Sequence, residues 1–208
     1  MKTDGIMDDL LRTDTISITP TMLKTIAAID EFKGAWTALG RLAPERLDNL
    51  RRVAAIESIG SSTRIEGAKL SDREVDQLLS KIDITSFTSR DEQEIAGYAA
   101  AMETVFAHYA AIDLTENHIK QLHRDLLQYA DKDERHRGAY KTLDNHVEAF
   151  GPDGSSLGVV FETATPFETP AQMESLTTWT RRALNDGELH PLIITGVFVV
   201  VFLAIHPF

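Results

Sequence analysis

Residues Leu192 to Ile205 are apolar throughout except for Thr195 and Gly196. A run of about 10–14 such residues is too short to cross a bilayer comfortably, and it is too apolar for an ordinary surface helix. It therefore demands a place in a core. His190-Pro191 opens the run, proline being suited to a first helical turn, and Pro207 forbids its continuation. The rest of the chain has to supply the elements that cover this helix. Ile193, Val197, Val200, Val201 and Ala204 are expected to be packed on nearly all sides.

The covering elements read as helices. After a polar, Thr-rich lead-in, Met22, Ile26, Ile29 and Phe32 recur at helical spacing. Pro44 fits another helix start, with Leu47, Leu50, Val53, Ala54 and Ile56 following. Gly60-Ser61-Ser62 is expected to interrupt that helix before Thr63-Arg64-Ile65-Glu66-Gly67. Ser71-x-x-Glu74 and Ser89-x-x-Glu92 are capping-box patterns ahead of apolar periodic runs. Thr115 begins an amphipathic helix, and Thr169 is expected to cap one whose first position is Pro170. Between these, Gly151-Pro152-Asp153-Gly154 is turn chemistry flanked by the β-prone pieces Val147–Phe150 and Val159–Phe161. The fold class is all-α: a helical bundle with one projecting β-hairpin.

Composition narrows the function. The 208 residues carry a net charge of −11, which argues against a surface that coats nucleic acid, since phosphate contacts need clustered Lys and Arg. There is no cysteine, so disulfides, thiolate metal sites and cysteine nucleophiles are excluded, and a reducing compartment suits the chain. Met1 to Gly5 shows no apolar signal core. A cytoplasmic protein without membrane attachment is expected.

Seven histidines are the remaining candidates for chemistry. His118 and His123 lie five apart, which does not align two metal ligands on one helix face. His206 differs, because it follows the most apolar helix directly and stands on a rigid support at the rim of the core. A general base is useful there, although on position alone a histidine serving structure is the commoner case.

Leu203-Ala204-Ile205-His206-Pro207-Phe208 resembles the start of the Fic motif, His-Pro-Phe-x-(Asp/Glu)-Gly-Asn-Gly-Arg. Upstream, Ser62-Thr63-Arg64-Ile65-Glu66-Gly67 resembles the Ser/Thr-x-x-x-Glu-Gly/Asn inhibitory motif of the same family. Chance would produce the inhibitory pattern in about one such protein in five, and the His-Pro-Phe triplet in about one in a hundred. Their order, with a Gly/Pro hairpin between them, strengthens both. Arg137-Gly138-Ala139-Tyr140-Lys141 and Pro166-Phe167-Glu168-Thr169-Pro170 resemble segments flanking the family's flap. The resemblance runs from about Pro44 to Phe208.

The resemblance implies a Fic-like helical bundle in two parts: residues 1–110 as an N-terminal helical lobe with the inhibitory motif, and residues 111–208 as a partial Fic (Fido) domain ending at His-Pro-Phe. It implies a protein adenylyltransferase, in which His206 deprotonates a Ser, Thr or Tyr hydroxyl of a target protein and AMP moves from ATP to that oxygen. Pro207 and Phe208 flank the base. Glu66, with Ser62, implies autoinhibition: the carboxylate engages an arginine of the motif and blocks the place of the γ-phosphate. Val147, Glu148, Val159, Val160 and Phe161 would form the flap that docks the target by main-chain pairing. The family's Mg²⁺ ligand and phosphate loop follow His-Pro-Phe, so the chain reads as truncated within the motif, with no metal ligand of its own and no activity in this form. ATP and Mg²⁺ are cofactors of a complete motif. Other readings are a Fic enzyme transferring another phosphate-containing group, or a non-catalytic remnant acting by protein contact. A homodimer is compatible with the apolar positions of the helical lobe.

Overall fold

The computed structural model describes residues 11–40, 44–65, 67, 69–80, 87, 89–130 and 134–208. Its elements are α1 (Pro20–Gly40), α2 (Pro44–Ile65), α3 (Asp72–Leu79), α4 (Arg90–His108), α5 (Glu116–Leu126), β1 (Val147–Phe150), β2 (Ser156–Phe161), α6 (Thr169–Asp186) and α7 (Pro191–Ile205). The fold is all-α with one small antiparallel hairpin. Two compact units divide the chain: one holds the described parts of 16–109 and 124–134, the other those of 1–15, 110–123 and 135–208.

The first unit packs α2, α3 and α4 around Ile59, Val75 and Ile95, each at most 2% exposed, with Ile56, Leu70, Leu78 and Tyr98 against them. Local chemistry sets the helix starts. Ser71 and Glu74 form a reciprocal capping box on α3, and the Ser89 hydroxyl accepts from the Glu92 N–H on α4. The expected break at Gly60-Ser61-Ser62 is absent, because α2 runs unbroken to Ile65. Gly60 is there for space: a Cβ would lie 2.7 Å from Asp72 Oδ1 and 2.8 Å from Arg64 Nη1. Arg64 uses that room to reach Asp72 Oδ1 at 2.8 Å and the Leu70 carbonyl at 3.2 Å. Gly67, at φ +102°, then ends the turn. Gly97 answers a second close approach, since a side-chain carbon on it would run into the Leu126 carbonyl oxygen.

The second unit is built on α6 against α7. Met173, Leu176, Thr177 and Thr180 of α6 and Ile194, Val197, Val201 and Ile205 of α7 are buried. The buried threonines are satisfied within their own helix: Thr177 Oγ1 donates to the Met173 carbonyl at 2.9 Å and Thr180 Oγ1 to that of Leu176 at 2.8 Å. Two expectations are corrected here. Thr169 does not cap α6; it is fully buried and donates to the Thr165 carbonyl. The first turn is instead organised by Thr165 and Glu168, whose side chains bond each other and each other's backbone N–H. Nor is α7 covered all round. Its positions 194, 197, 201 and 205 share one buried face, whereas Leu192, Val199, Val200 and Leu203 are 40–63% exposed. Burial follows the partners, and those of α7 lie on one side.

The hairpin pairs Val147 with Phe161, Glu148 with Val159, Ala149 with Gly158 and Phe150 with Ser156. Its tip closes on itself: the Gly151 N–H donates to the Ser155 carbonyl, the Gly154 N–H to that of Gly151, and Asp153 Oδ1 accepts from the Ser155 N–H and hydroxyl. Among the described residues no helix is long and apolar enough to cross a membrane.

Candidate active site

The last turn of α7 delivers His206. The His206 N–H still donates to the Phe202 carbonyl at 2.9 Å, but the residue itself turns left-handed, at φ +50° and ψ +63°. It is the one non-glycine residue with positive φ among the described residues. An L-residue held there costs about 1–3 kcal/mol, and it persists only where its surroundings over-determine it. An αL residue commonly ends a helix, usually as glycine, and a non-glycine residue held there marks a position worth examining for function. The reversal puts the residue at the surface, while the ring of Pro207 goes into the core below 2% exposure. An exposed imidazole is a group chemically able to accept a proton from a visiting hydroxyl.

The surroundings that hold this turn come from the segment between α5 and the hairpin. Lys141 is buried, 7% exposed, and its ammonium donates to the Ile205 carbonyl at 2.9 Å, Asn145 Oδ1 at 2.6 Å and Thr163 Oγ1 at 3.1 Å. All three of its protons are used. Its backbone N–H donates to the Pro207 carbonyl at 2.8 Å. Asn145 Nδ2 donates to the His206 main-chain oxygen at 3.1 Å and to that of Phe208 at 2.8 Å. Four consecutive oxygens, from Ile205 to Phe208, are thus gripped by two residues. Burial lowers the Lys141 pKa from its ordinary value, with Asp144 and then Glu168 opposing the shift.

The Phe208 ring stacks on His123, centroids 3.8 Å apart at 14°, and lies near Tyr140 and Phe202. His123 Nδ1 accepts from the Gly138 N–H at 3.1 Å, which leaves the proton of a neutral ring on Nε2. Tyr140 donates its hydroxyl proton to Glu116 at 2.6 Å, and Lys120 Nζ sits 3.8 Å from its ring centroid. Burial first, and the Glu116 carboxylate second, push the Tyr140 pKa far up, so the phenol stays protonated.

The hairpin grows out of this network. Asn145 and His146 precede β1 and Thr163 follows β2; Thr163 donates its N–H to His146 Nδ1 at 3.1 Å and its hydroxyl to Asn145 Oδ1 at 3.0 Å. The Ala164 N–H adds a bond to the Ala204 carbonyl of α7 at 3.4 Å. Val147, Val159, Val160 and Phe161 are 46–68% exposed, and Glu148 accepts from the Ser156 hydroxyl. Of the inhibitory residues, Ser62 belongs to the other unit, its hydroxyl 3.2 Å from that of Tyr98. Glu66 lies outside the described residues.

Sequence reasoning singled out His206, Pro207 and Phe208 but missed Lys141, Asn145, Thr163 and the ring platform of His123. Lys141 stood inside a segment noted for its resemblance, yet its partners lie up to 64 residues away, and no local pattern marks them. Among the described residues no group of three or more His, Asp or Glu side chains is arranged to hold a metal ion.

Residues 113–208 match the family model described as Fic/DOC family. No curated protein matches the chain. Among solved structures, the chain is similar to a Fic domain containing signaling protein from Bacteroides thetaiotaomicron VPI-5482, with 28% identity and a TM-score of 0.70 over 86% of this chain and 65% of that one. It is also similar in fold to a Fic family protein from Desulfovibrio desulfuricans G20, with 23% identity and a TM-score of 0.69 over 93% of this chain and 54% of that one. The chain therefore spans less than two thirds of the length of either structure. The His-Pro-Phe turn lies inside the residues that match the Fic/DOC family, 113–208, and the chain shares its helical fold with both structures.

Proposed function

We propose that this chain is part of a protein adenylyltransferase that moves AMP from ATP to a Ser, Thr or Tyr hydroxyl of a target protein. The observation that carries the reading is His206 itself: an exposed imidazole in a left-handed turn at the end of α7, within His-Pro-Phe. A hydroxyl is a weak nucleophile until a neighbouring base takes its proton. In the proposed step His206 accepts that proton and the oxygen bonds to the α-phosphorus of ATP. The bond from that phosphorus to the bridging oxygen breaks, and pyrophosphate leaves. Among the described residues no group of three or more His, Asp or Glu side chains gathers for a metal ion, and no step is assigned to one. The exposed edge of the hairpin suits main-chain pairing with an extended target segment, next to the base. Glu66 is proposed as the brake, in keeping with its motif, and the setting is proposed as the cytoplasm.

The test is incorporation of label in the full-length protein. ATP labelled at the α-phosphate should mark protein, ATP labelled at the γ-phosphate should not, and His206→Ala should abolish the signal. A base supplies about 10²–10⁴-fold. Labelling that survives His206→Ala unchanged refutes the reading, and transfer from the γ-position replaces it with phosphoryl transfer.

A further inference from the structure

We infer that Lys141 and Asn145 are positioning residues for His206, clamping the main-chain oxygens of residues 205–208 so that the imidazole is held in its left-handed turn. The inference rests on the reading of His206 as the base. A lone hydrogen bond to a loop would carry little weight, but here every polar group is spent. The Lys141 ammonium has three protons and three acceptors; Asn145 uses both amide protons on His206 and Phe208, and its oxygen accepts from Lys141 and Thr163. A buried cation is retained at a desolvation cost unless its partners compensate, and this one is compensated by Asn145, by Thr163 and by the Ile205 carbonyl that ends α7. Without these side-chain bonds, the strained φ at His206 keeps only the buried Pro207 ring, the Phe208–His123 stack and main-chain bonds against it, and the backbone can relax toward right-handed or extended conformations. The imidazole would then leave its alignment with the hydroxyl, and a displacement of about 1 Å costs on the order of 10²-fold in rate.

The decisive variant is Asn145→Asp in the full-length protein. The carboxylate keeps an acceptor for Lys141 and nearly the same shape, so the fold is supported, but both donors to His206 and Phe208 are lost. Lys141→Met removes the amine and keeps the stem, and Lys141→Arg restores a cation as the rescue. Two readouts are needed. The first is the imidazole NMR signal of His206 in histidine-labelled protein, identified by its loss in His206→Ala. The second is the split of kcat from KM for ATP in the α-label assay. Asn145→Asp is expected to shift or broaden the His206 signal and to lower kcat about 10–100-fold, with KM for ATP within about twofold of wild type. Lys141→Met should do the same, and Lys141→Arg should recover part of both. An unchanged His206 signal and kcat in a folded Asn145→Asp protein overturn the proposal, as does a change confined to KM. Should Lys141→Met fail to fold, Asn145→Asp decides alone. If His206→Ala leaves labelling intact, the reading of His206 as the base fails, while a shifted signal in Asn145→Asp still establishes the clamp.

Discussion

Val200 and Val201 are adjacent, identical in chemistry and part of one helix, yet one is 59% exposed and the other fully buried. Truncating each to alanine therefore isolates burial from everything else. Val201→Ala removes two buried methyl equivalents, worth about 0.8 kcal/mol each in transfer. The cavity left on the face of α7 packed against α6 adds to this, at about 24 cal/mol per Å³ of residual volume. A gain of up to about 0.7 kcal/mol from the better helix propensity of alanine offsets part of the loss. The net expectation is a destabilisation of about 2 kcal/mol. Val200→Ala receives the same propensity gain against a transfer loss less than half as large, and should fall within about 0.5 kcal/mol of wild type. The assay is a urea melt followed by Trp179 fluorescence, from within α6, in a Trp36→Phe background that silences the other unit. With a slope of about 2 kcal/mol/M, the Val201→Ala midpoint should drop by about 1 M and the Val200→Ala midpoint hardly move. Equal losses in the two variants would refute a one-faced α7 and restore burial on all sides.

Two further outcomes are expected. Glu66→Gly, in a protein carrying the complete His-Pro-Phe motif, should raise labelling by about ten- to a hundredfold, the worth of one carboxylate–guanidinium interaction of about 1.5–3 kcal/mol; equal labelling in both proteins would clear Glu66 of the role of brake. The Glu74 carboxyl is held below its ordinary value of 4.5, first by the Ser71 hydroxyl and then by its backbone N–H. A lowered folded-state pKa gives stability that is complete above pH 4.5 and lost as pH falls through the folded value, so Glu74→Gln should flatten the acid end of the thermal-melt profile, and an unchanged profile would remove the capping box from the account.

What could be read from the residues alone was what is decided within one turn. Ser71 and Ser89 cap helices because a hydroxyl meets an amide three residues on, and His190 opens α7 with its Nδ1 accepting from the Leu192 N–H two residues on. Thr165 obeys the same rule, and its Thr-x-x-Glu pattern was a legible signal for the start of α6 that Pro170 obscured. Gly60 misled because glycine reads as a breaker, whereas here it makes room for Arg64 of its own helix to meet Asp72 of α3. The apolar run of α7 announced a buried helix without saying which face would find a partner. His206 could be picked out through its neighbours Pro207 and Phe208. The side chains that hold it could not, because a lysine, an asparagine and a threonine among many carry no mark of the helix end they will meet.

The hairpin has two mechanically different ends. Its stems are tied to the end of α7 by Asn145 and Ala164 and to each other by His146 and Thr163, while the bonds of its tip, residues 151–155, close the tip upon itself among the described residues. A loop of that kind can be lengthened, shortened or exchanged with little entropic penalty and no disturbance at its roots. The surface that would choose a target can thus drift quickly over generations, or be grafted deliberately, while His206, the proposed base, whose main-chain oxygen Asn145 holds beside one stem, stays where it is.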